Sequence, residues 1–337
     1  MIEAQQQSLT SPPLVAIVVP VYNGAAYLGA CLESLRGQTL GSFEVYIRDD
    51  GSRDGSPAII AQFASDPRFR VLTSEGNLGL FANVNRLIRA SSAPLVRVLC
   101  QDDLLEPHCL EEEVAFFVRH PEVGMAYGKV RPINAQGQII GEWPVESQPE
   151  SMPPWMSMQL FFYHGCIVGS LSNACMRRSV LDQFGLFDES FPIAGDYELW
   201  VRICRVYACG IVRRPILRVR SHRGQLSRSL SAGLASIIES RRVRATILPE
   251  LPPALHAYAR CYEYMRHDVL DVHYALRRLA AGDPRTFLAL ARALGLRHML
   301  LGALCWLLSV DNRLFRPTPR FLPPAGERAE VGTTMAT

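Results

Sequence analysis

Residues 15–24 read VAIVVPVYNG, an apolar, β-branched run that stops at a turn sequence. A run without polar alternation suits a strand covered on both faces, as in a parallel sheet flanked by helices. Three further runs repeat the pattern: FEVYIRD at 43–49, RFRVLTS at 68–74 and APLVRVL at 93–99. Between the first two, Tyr27, Leu28, Cys31, Leu32 and Leu35 recur at helical intervals; between the last two, Leu80, Val84, Leu87 and Ile88 do the same. Strands alternating with amphipathic helices predict an α/β domain built on a mixed, mostly parallel sheet. Each strand then runs into a polar or glycine-containing loop: Tyr22-Asn23-Gly24, Asp49-Asp50-Gly51-Ser52, Asn77-Leu78-Gly79 and Gln101-Asp102-Asp103. Open α/β sheets bind ligands beyond the carboxyl ends of their strands, so these loops are the candidate site.

Farther along, a helix is expected after Glu106, a strand over 123–130, a Gln-, Gly- and Pro-rich loop region, and a helix near 197–207. After Gln225 the pattern is helical, with a break at Leu248-Pro-Glu-Leu-Pro-Pro. The expected organisation is a polar tail at 1–13, one catalytic domain at 14–225, a helical region at 226–315 and a proline-rich, then polar, disordered tail at 316–337. Residues 286–310 are the most hydrophobic long stretch, but Arg292, Arg297 and His298 interrupt them, which predicts an amphipathic helix pair rather than a membrane span.

With 35 Lys and Arg against 32 Asp and Glu, the net charge of +3 gives no global field for nucleic acid. The nine cysteines form no C-x-x-C pair, which argues against a zinc site and for reduced thiols in a cytoplasmic setting. No dinucleotide fingerprint, phosphate-binding P-loop or serine nucleophile elbow occurs.

Taken one at a time, the chemical motifs each keep a plain structural reading. Asp102-Asp103 is either an exposed turn or a carboxylate pair held by a hard divalent ion. Asp50 sits in what is either an Asx-type turn or an acceptor for a base or ribose. Asp196 opens a helix either as its cap or as a general base aimed at a hydroxyl. His222 is either a metal or diphosphate contact or a solvated loop residue.

In order along the chain, however, these residues resemble glycosyltransferase family 2, of the GT-A fold. The carrying segments are Pro20-Val-Tyr22-Asn23, Ser34-Leu-Arg-Gly-Gln38-Thr39, Asp49-Asp50-Gly51-Ser52-Arg-Asp54-Gly55, Asn77-Leu-Gly79, Asp102-Asp103, Gly185-Leu-Phe187-Asp188-Glu189, Gly195-Asp196-Tyr-Glu-Leu-Trp-Val-Arg202 and Arg220-Ser-His222. The resemblance covers roughly residues 15–225. It implies an inverting transfer of a sugar from a nucleoside diphosphate, UDP or dTDP, to a hydroxyl acceptor in polysaccharide or cell-surface glycan synthesis, with Mn²⁺ or Mg²⁺. Pro20, Tyr22, Asn23, Asp50, Asn77 and Asp102 would bind the nucleotide, with Asp50 accepting from the base. Asp103, Asp102 and His222 would serve the metal, and Asp196 would be the catalytic base. One departure stands out: where many members carry a further acid, this chain has Cys100, which gives a softer donor set.

Two rival functions are a sugar-1-phosphate nucleotidyltransferase, for which the glycine-rich basic loop is missing, and a noncatalytic nucleotide-sugar-binding subunit. The arginines at 241, 242 and 244 and the apolar run at 298–310 are consistent with peripheral contact to the inner face of a membrane and a lipid-linked acceptor. A helical lid or a homodimer contact is the alternative for the same helices.

Overall fold

The computed structural model describes residues 12–74, 76–143, 148–226, 230–309 and 319–323. The tails expected at 1–13 and 316–337 lie outside the described residues except for 12–13 and 319–323. The chain forms two compact units. One takes the chain up to Pro154 together with Val168–Gln225, and the other takes Trp155–Ile167 and everything from Leu226.

The first unit is a nine-stranded mixed sheet. Its strands are β1 (Val15–Val21), β2 (Phe43–Asp49), β3 (Phe69–Leu72), β4 (Leu95–Val98), β5 (Leu104–Leu105), β6 (Val123–Ile133), β7 (Ser151–Met152), β8 (Ala174–Arg177) and β9 (Ala208–Arg220). The order is β3-β2-β1-β4-β8-β6-β9-β5, with β7 pairing on β9. The block β3-β2-β1-β4 is wholly parallel, as the continuous apolar runs require. Antiparallel pairing enters at β8, which lies between β4 and β6.

Helices α1 (Ala25–Arg36), α2 (Ser56–Phe63), α3 (Leu80–Ala90) and α4 (Cys109–Arg119) connect the early strands. On α1 the buried residues are Leu28, Cys31, Leu32 and Leu35, the spacing of one helical face. They join Val15, Ile17 and Val19 of β1 in the core. Because β1 to β4 run parallel, their C-terminal loops emerge at one edge. That edge gathers residues 22–24, 49–56, 73–74, 76–79 and 99–103.

The second unit contains α5 (Pro154–His164), α8 (Leu230–Ile247), α9 (Pro253–Tyr262), a π-helical turn (Glu263–Asp268), α10 (Val269–Ala280), α11 (Pro284–Leu294) and α12 (Leu296–Ser309). The remaining helices of the first unit are α6 (Arg178–Phe184) and α7 (Gly195–Cys204). The units part at Gln225 and Leu226, where the sequence placed its division, and α5, expected within 14–225, groups with the C-terminal helices instead. Every residue of α5 from Met156 to Tyr163 is buried, so it has no face to leave in water. Its Tyr163 ring meets Tyr262 at 4.8 Å between centroids, and the Phe162 carbonyl pairs with His267 Nε2 at 3.1 Å. The helix pair expected at 286–310 is present as α11 and α12, bent by 109°. Among the described residues no single helix is long and apolar enough to cross a membrane.

Candidate active site

The four loops at the sheet edge are stitched together by side chains acting on neighbouring backbones. Gln101 accepts from the Tyr22 amide at 2.8 Å and donates to its carbonyl at 2.9 Å, joining the loops after β4 and β1. The Asn23 amide donates to Ser52 Oγ at 2.7 Å, and Asn23 Oδ1 accepts from the Arg53 amide at 2.9 Å, joining the loops after β1 and β2. Asn23 holds this place at φ 49°, a left-handed conformation that asparagine tolerates better than most residues. Pro20 is buried in β1, whereas Tyr22 is 49% exposed at the edge. Asn77 is exposed on the loop after β3.

Asp50 is only 3% exposed, and both oxygens of its carboxylate accept hydrogen bonds. Oδ1 accepts from Arg48 Nη1 at 2.7 Å and from the Leu78 amide at 2.9 Å, and Oδ2 accepts from the Gly79 amide at 2.9 Å. Acceptance from a base, the role implied by resemblance, would use the acceptor site that Oδ2 keeps beside the Gly79 amide. In this structure Asp50 fixes the 76–79 loop against β2. Its neighbour Asp49 uses Oδ2 to cap the Gly51 and Ser52 amides, at 3.2 and 2.9 Å, while its buried Oδ1 finds no hydrogen-bond partner among the described residues.

Asp102 and Asp103 lie between two distant segments. Asp103 is buried; its Oδ2 accepts from Ser172 Oγ at 2.6 Å and its Oδ1 from the Arg220 amide at 2.9 Å. Burial, reinforced by the adjacent Asp102 charge, pushes the Asp103 carboxyl up to about 7. Asp102 pairs with His222 Nε2 at 2.9 Å, and its carbonyl accepts from Arg220 Nε at 2.9 Å. The Arg220 guanidinium also lies over the Tyr27 ring at 4.7 Å, and Tyr27 stands 4.6 Å from the His222 ring. The two-residue strand β5 brings these groups together, since Leu104 and Leu105 pair with Arg218 and Leu217 of β9 directly beyond Asp103.

The two aspartates here suit a hard divalent ion, whereas Cys100 adds a soft sulfur donor. Cys100, Asp102 and Asp103 offer ligand atoms that all lie within 4.8 Å of one another. Two adjacent carboxylates, one of them held near neutrality by burial, leave negative charge that a cation would relieve. His222, expected either in solvent or at the metal, is bonded to one of those carboxylates.

Asp196 is the second residue of α7, and the residue preceding the helix, Ala194, makes no side-chain cap. The Asp196 carboxylate accepts from the Tyr197 amide within the first turn, at 2.7 Å, the kind of bond the capping alternative expects, made from inside the helix. Gly195 packs against Phe81 at the start of α3, and Phe81 stacks on Phe187 with centroids 5.0 Å apart. Asn85 of α3 clamps the 185–189 segment, accepting from the Phe187 amide at 3.0 Å and donating to its carbonyl at 2.9 Å. These contacts set Asp196 beside the helix that leaves the Asn77–Gly79 loop, which Asp50 in turn holds. Asp50 and Asp196 are linked through that loop and helix, and the Asp102–Asp103 group joins the same edge through Gln101. Sequence reasoning missed Ser172 and Asn85, and it noted Gln101 and Arg220 only as parts of longer segments.

A parallel α/β block whose loops carry a carboxylate pair, an anchored basic segment and a helix-borne acid places the candidate site on a GT-A-like sheet. The chain belongs to glycosyl transferase family 2, whose profile matches residues 16–185. It is 42% identical over 187 residues to the putative glycosyltransferase EpsH of Bacillus subtilis, covering 55% of this chain and 52% of that one. To the chondroitin synthase of Escherichia coli it is 29% identical over 206 residues, 60% of this chain and 28% of the relative. An uncharacterized glycosyltransferase of Rickettsia bellii is 25% identical over 240 residues, 69% of this chain and 33% of its own. The chain thus spans between about a quarter and a half of the length of these relatives. In fold it is similar to TarS 1-349 of S. aureus solved with UDP-GlcNAc, with a TM-score of 0.58, 18% identity, and coverage of 81% and 89%.

Proposed function

We propose that this chain transfers a sugar from a nucleoside diphosphate, UDP or dTDP, to a hydroxyl acceptor with inversion, in the assembly of a polysaccharide or cell-surface glycan. The observation that carries the reading is the Asp102–Asp103 pair, half-buried and buried in turn, beside Arg220 and His222 at the same sheet edge as the Asp49–Ser52 and Tyr22–Asn23 loops. Support for the donor comes from TarS, whose related fold was solved with UDP and with UDP-GlcNAc.

Asp102 and Asp103 would hold Mg²⁺ or Mn²⁺, which when bound neutralises the departing diphosphate. The protein supplies the rest of the site. Arg220 keeps both aspartates in place through its backbone amide and its Nε. Gln101 and Ser52 hold the loop bearing Tyr22 and Asn23, the surface offered to the nucleotide. Asp196, in the first turn of α7, would accept the proton of the acceptor hydroxyl as its oxygen bonds to the anomeric carbon and the bond to the diphosphate breaks. The helix N-terminus favours the ionised carboxylate, so the proton moves late, once bonding to carbon has acidified the hydroxyl.

The test is transfer and hydrolysis with UDP- and dTDP-sugars, comparing wild type with Asp196→Asn. The variant is expected to bind UDP with unchanged affinity and to lose about 10²-fold or more of its turnover. Undiminished turnover in the variant would remove the base assignment. UDP binding without transfer or hydrolysis by the wild type, across donors and acceptors, would favour the noncatalytic reading.

A further inference from the structure

Helix α12 carries exposed leucines on its outer side although only part of its apolar surface is covered on the inner one. Its inward face carries His298, whose Nδ1 meets the buried Asp268 carboxylate at 2.6 Å, and Gly302. A Cβ on Gly302 would lie 3.0 Å from both the Asp268 carbonyl oxygen and Val272 Cγ2, so this face sits directly on α10. Helical geometry then sends Leu296, Leu300 and Leu304 to the opposite side, where they are 75%, 60% and 53% exposed. An ordinary surface helix places such a stripe inside and its polar residues outside. On the other arm of the 109° bend, α11 buries Leu290 and Leu294 but exposes Leu288, flanked three and four residues away by exposed Arg285 and Arg292.

The charge around these leucines is one-sided. Residues 263–306 hold six arginines against three aspartates and Glu263, which lines a cavity with Arg241 and Arg242. Asp268 and Asp271 are buried beside Arg241, and Asp283 is bonded to Arg278 at 2.7 Å. Arg266, Arg277, Arg285, Arg292 and Arg297 are all exposed. A second copy of the chain on this face would bring like charges together, whereas anionic headgroups above an apolar layer match both the leucines and the arginines.

We propose that the α11–α12 elbow is a docking surface for an anionic lipid bilayer, with its leucines at the acyl boundary and its arginines at the phosphate level. This inference rests on no part of the transfer reaction.

The full chain should float with vesicles of phosphatidylcholine plus phosphatidylglycerol and not with phosphatidylcholine alone, and added salt should weaken the binding. Leu296→Glu with Leu300→Glu and Leu304→Glu should lower vesicle affinity by about ten-fold or more. Arg285→Gln and Arg292→Gln should each cost roughly five-fold. Helical circular dichroism and the thermal shift given by UDP should stay at wild-type values in every variant, which separates lost docking from lost folding or lost nucleotide binding. Equal flotation of wild type and the triple variant would overturn the proposal, as would no flotation at all. A dimer seen by light scattering that the triple variant dissociates, without vesicle binding, would reassign the stripe to a second copy.

Discussion

Asp50 and Asp103 are both buried carboxylates on one sheet edge, yet they are compensated differently. Asp50 has a full guanidinium at 2.7 Å and two backbone amides; Asp103 has a hydroxyl and one amide, with Asp102 beside it. Asp50 therefore belongs to a closed structural pair, and Asp103 to an electrostatically unfinished site. The Arg48–Asp50 pair is almost wholly removed from solvent, so deleting one partner strands the other. Arg48→Met is expected to cost about 3–5 kcal/mol in urea denaturation. Because the 76–79 loop hangs on Asp50, UDP affinity should fall in the same variant. Arg48→Met combined with Asp50→Leu should recover part of the stability and none of the affinity; a full loss of stability in the double variant would show that the charge balance is not the cause. At this scale the sequence yielded the acids themselves, because their motifs are local. It could not show that Asp50 holds the Leu78 and Gly79 amides or that Ser172 holds Asp103, because those partners lie 28 to 29 and 69 residues away.

Among the secondary-structure elements, periodicity located the strands that are long and buried and the helices with one apolar face. It could not locate β5 and β7, which have two residues each and exist only because β9 offers them a partner. Nor did it give β9 its length of 13 residues, since Arg213, Arg214 and Pro215 interrupt the pattern at the register shifts against β6. The start of α7 shows how an element positions a reactive group. A Cβ on Gly195 would lie 2.7 Å from Phe81 Cε2 and 2.9 Å from Cδ2, and that ring is backed by Phe187. Gly195→Ala would gain at most about 1 kcal/mol of helix propensity. Overpacking against an immobile ring costs about 1–3 kcal/mol, so the net effect is destabilising. The helix can relieve the clash only by moving, and Asp196 moves with it. Turnover should therefore drop by more than UDP affinity does, as measured by kcat alongside nucleotide titration. An unchanged kcat with a lowered Tm would mean that Asp196 tolerates the shift.

Across the whole molecule, the chain is two units threaded through each other in sequence, because α5 leaves the sheet unit after β7 and the chain returns before β8. The sequence reading placed one boundary at 225 because it followed the change from strand to helix periodicity. An all-round apolar helix such as α5 carries no periodicity to say which unit it completes. Its junction with the C-terminal helices includes His267, whose Nε2 meets the Phe162 carbonyl at 3.1 Å. Burial, helped by the nearby Arg244 charge, depresses the His267 imidazole to about 3 from an ordinary 6.5. The folded unit thus refuses a proton that the unfolded chain accepts. Its contribution is intact above pH 6.5 and drains away as pH falls toward 3, on the order of a few kcal/mol in all. Asp271 acts in the opposite sense: burial raises it to about 6, so its contribution is greatest in acid and is lost as pH climbs from about 4 to 6. The two partly cancel in the wild-type curve, and comparison with His267→Gln isolates the imidazole. Glutamine keeps a donor for the Phe162 carbonyl and takes up no proton. The variant should be less stable than wild type at pH 7, and that gap should shrink or reverse by pH 4, read as the melting of the helical circular dichroism signal at each pH. A gap that stays constant across this range would mean that His267 protonates in the folded unit, and that α5 is not sealed against the C-terminal helices.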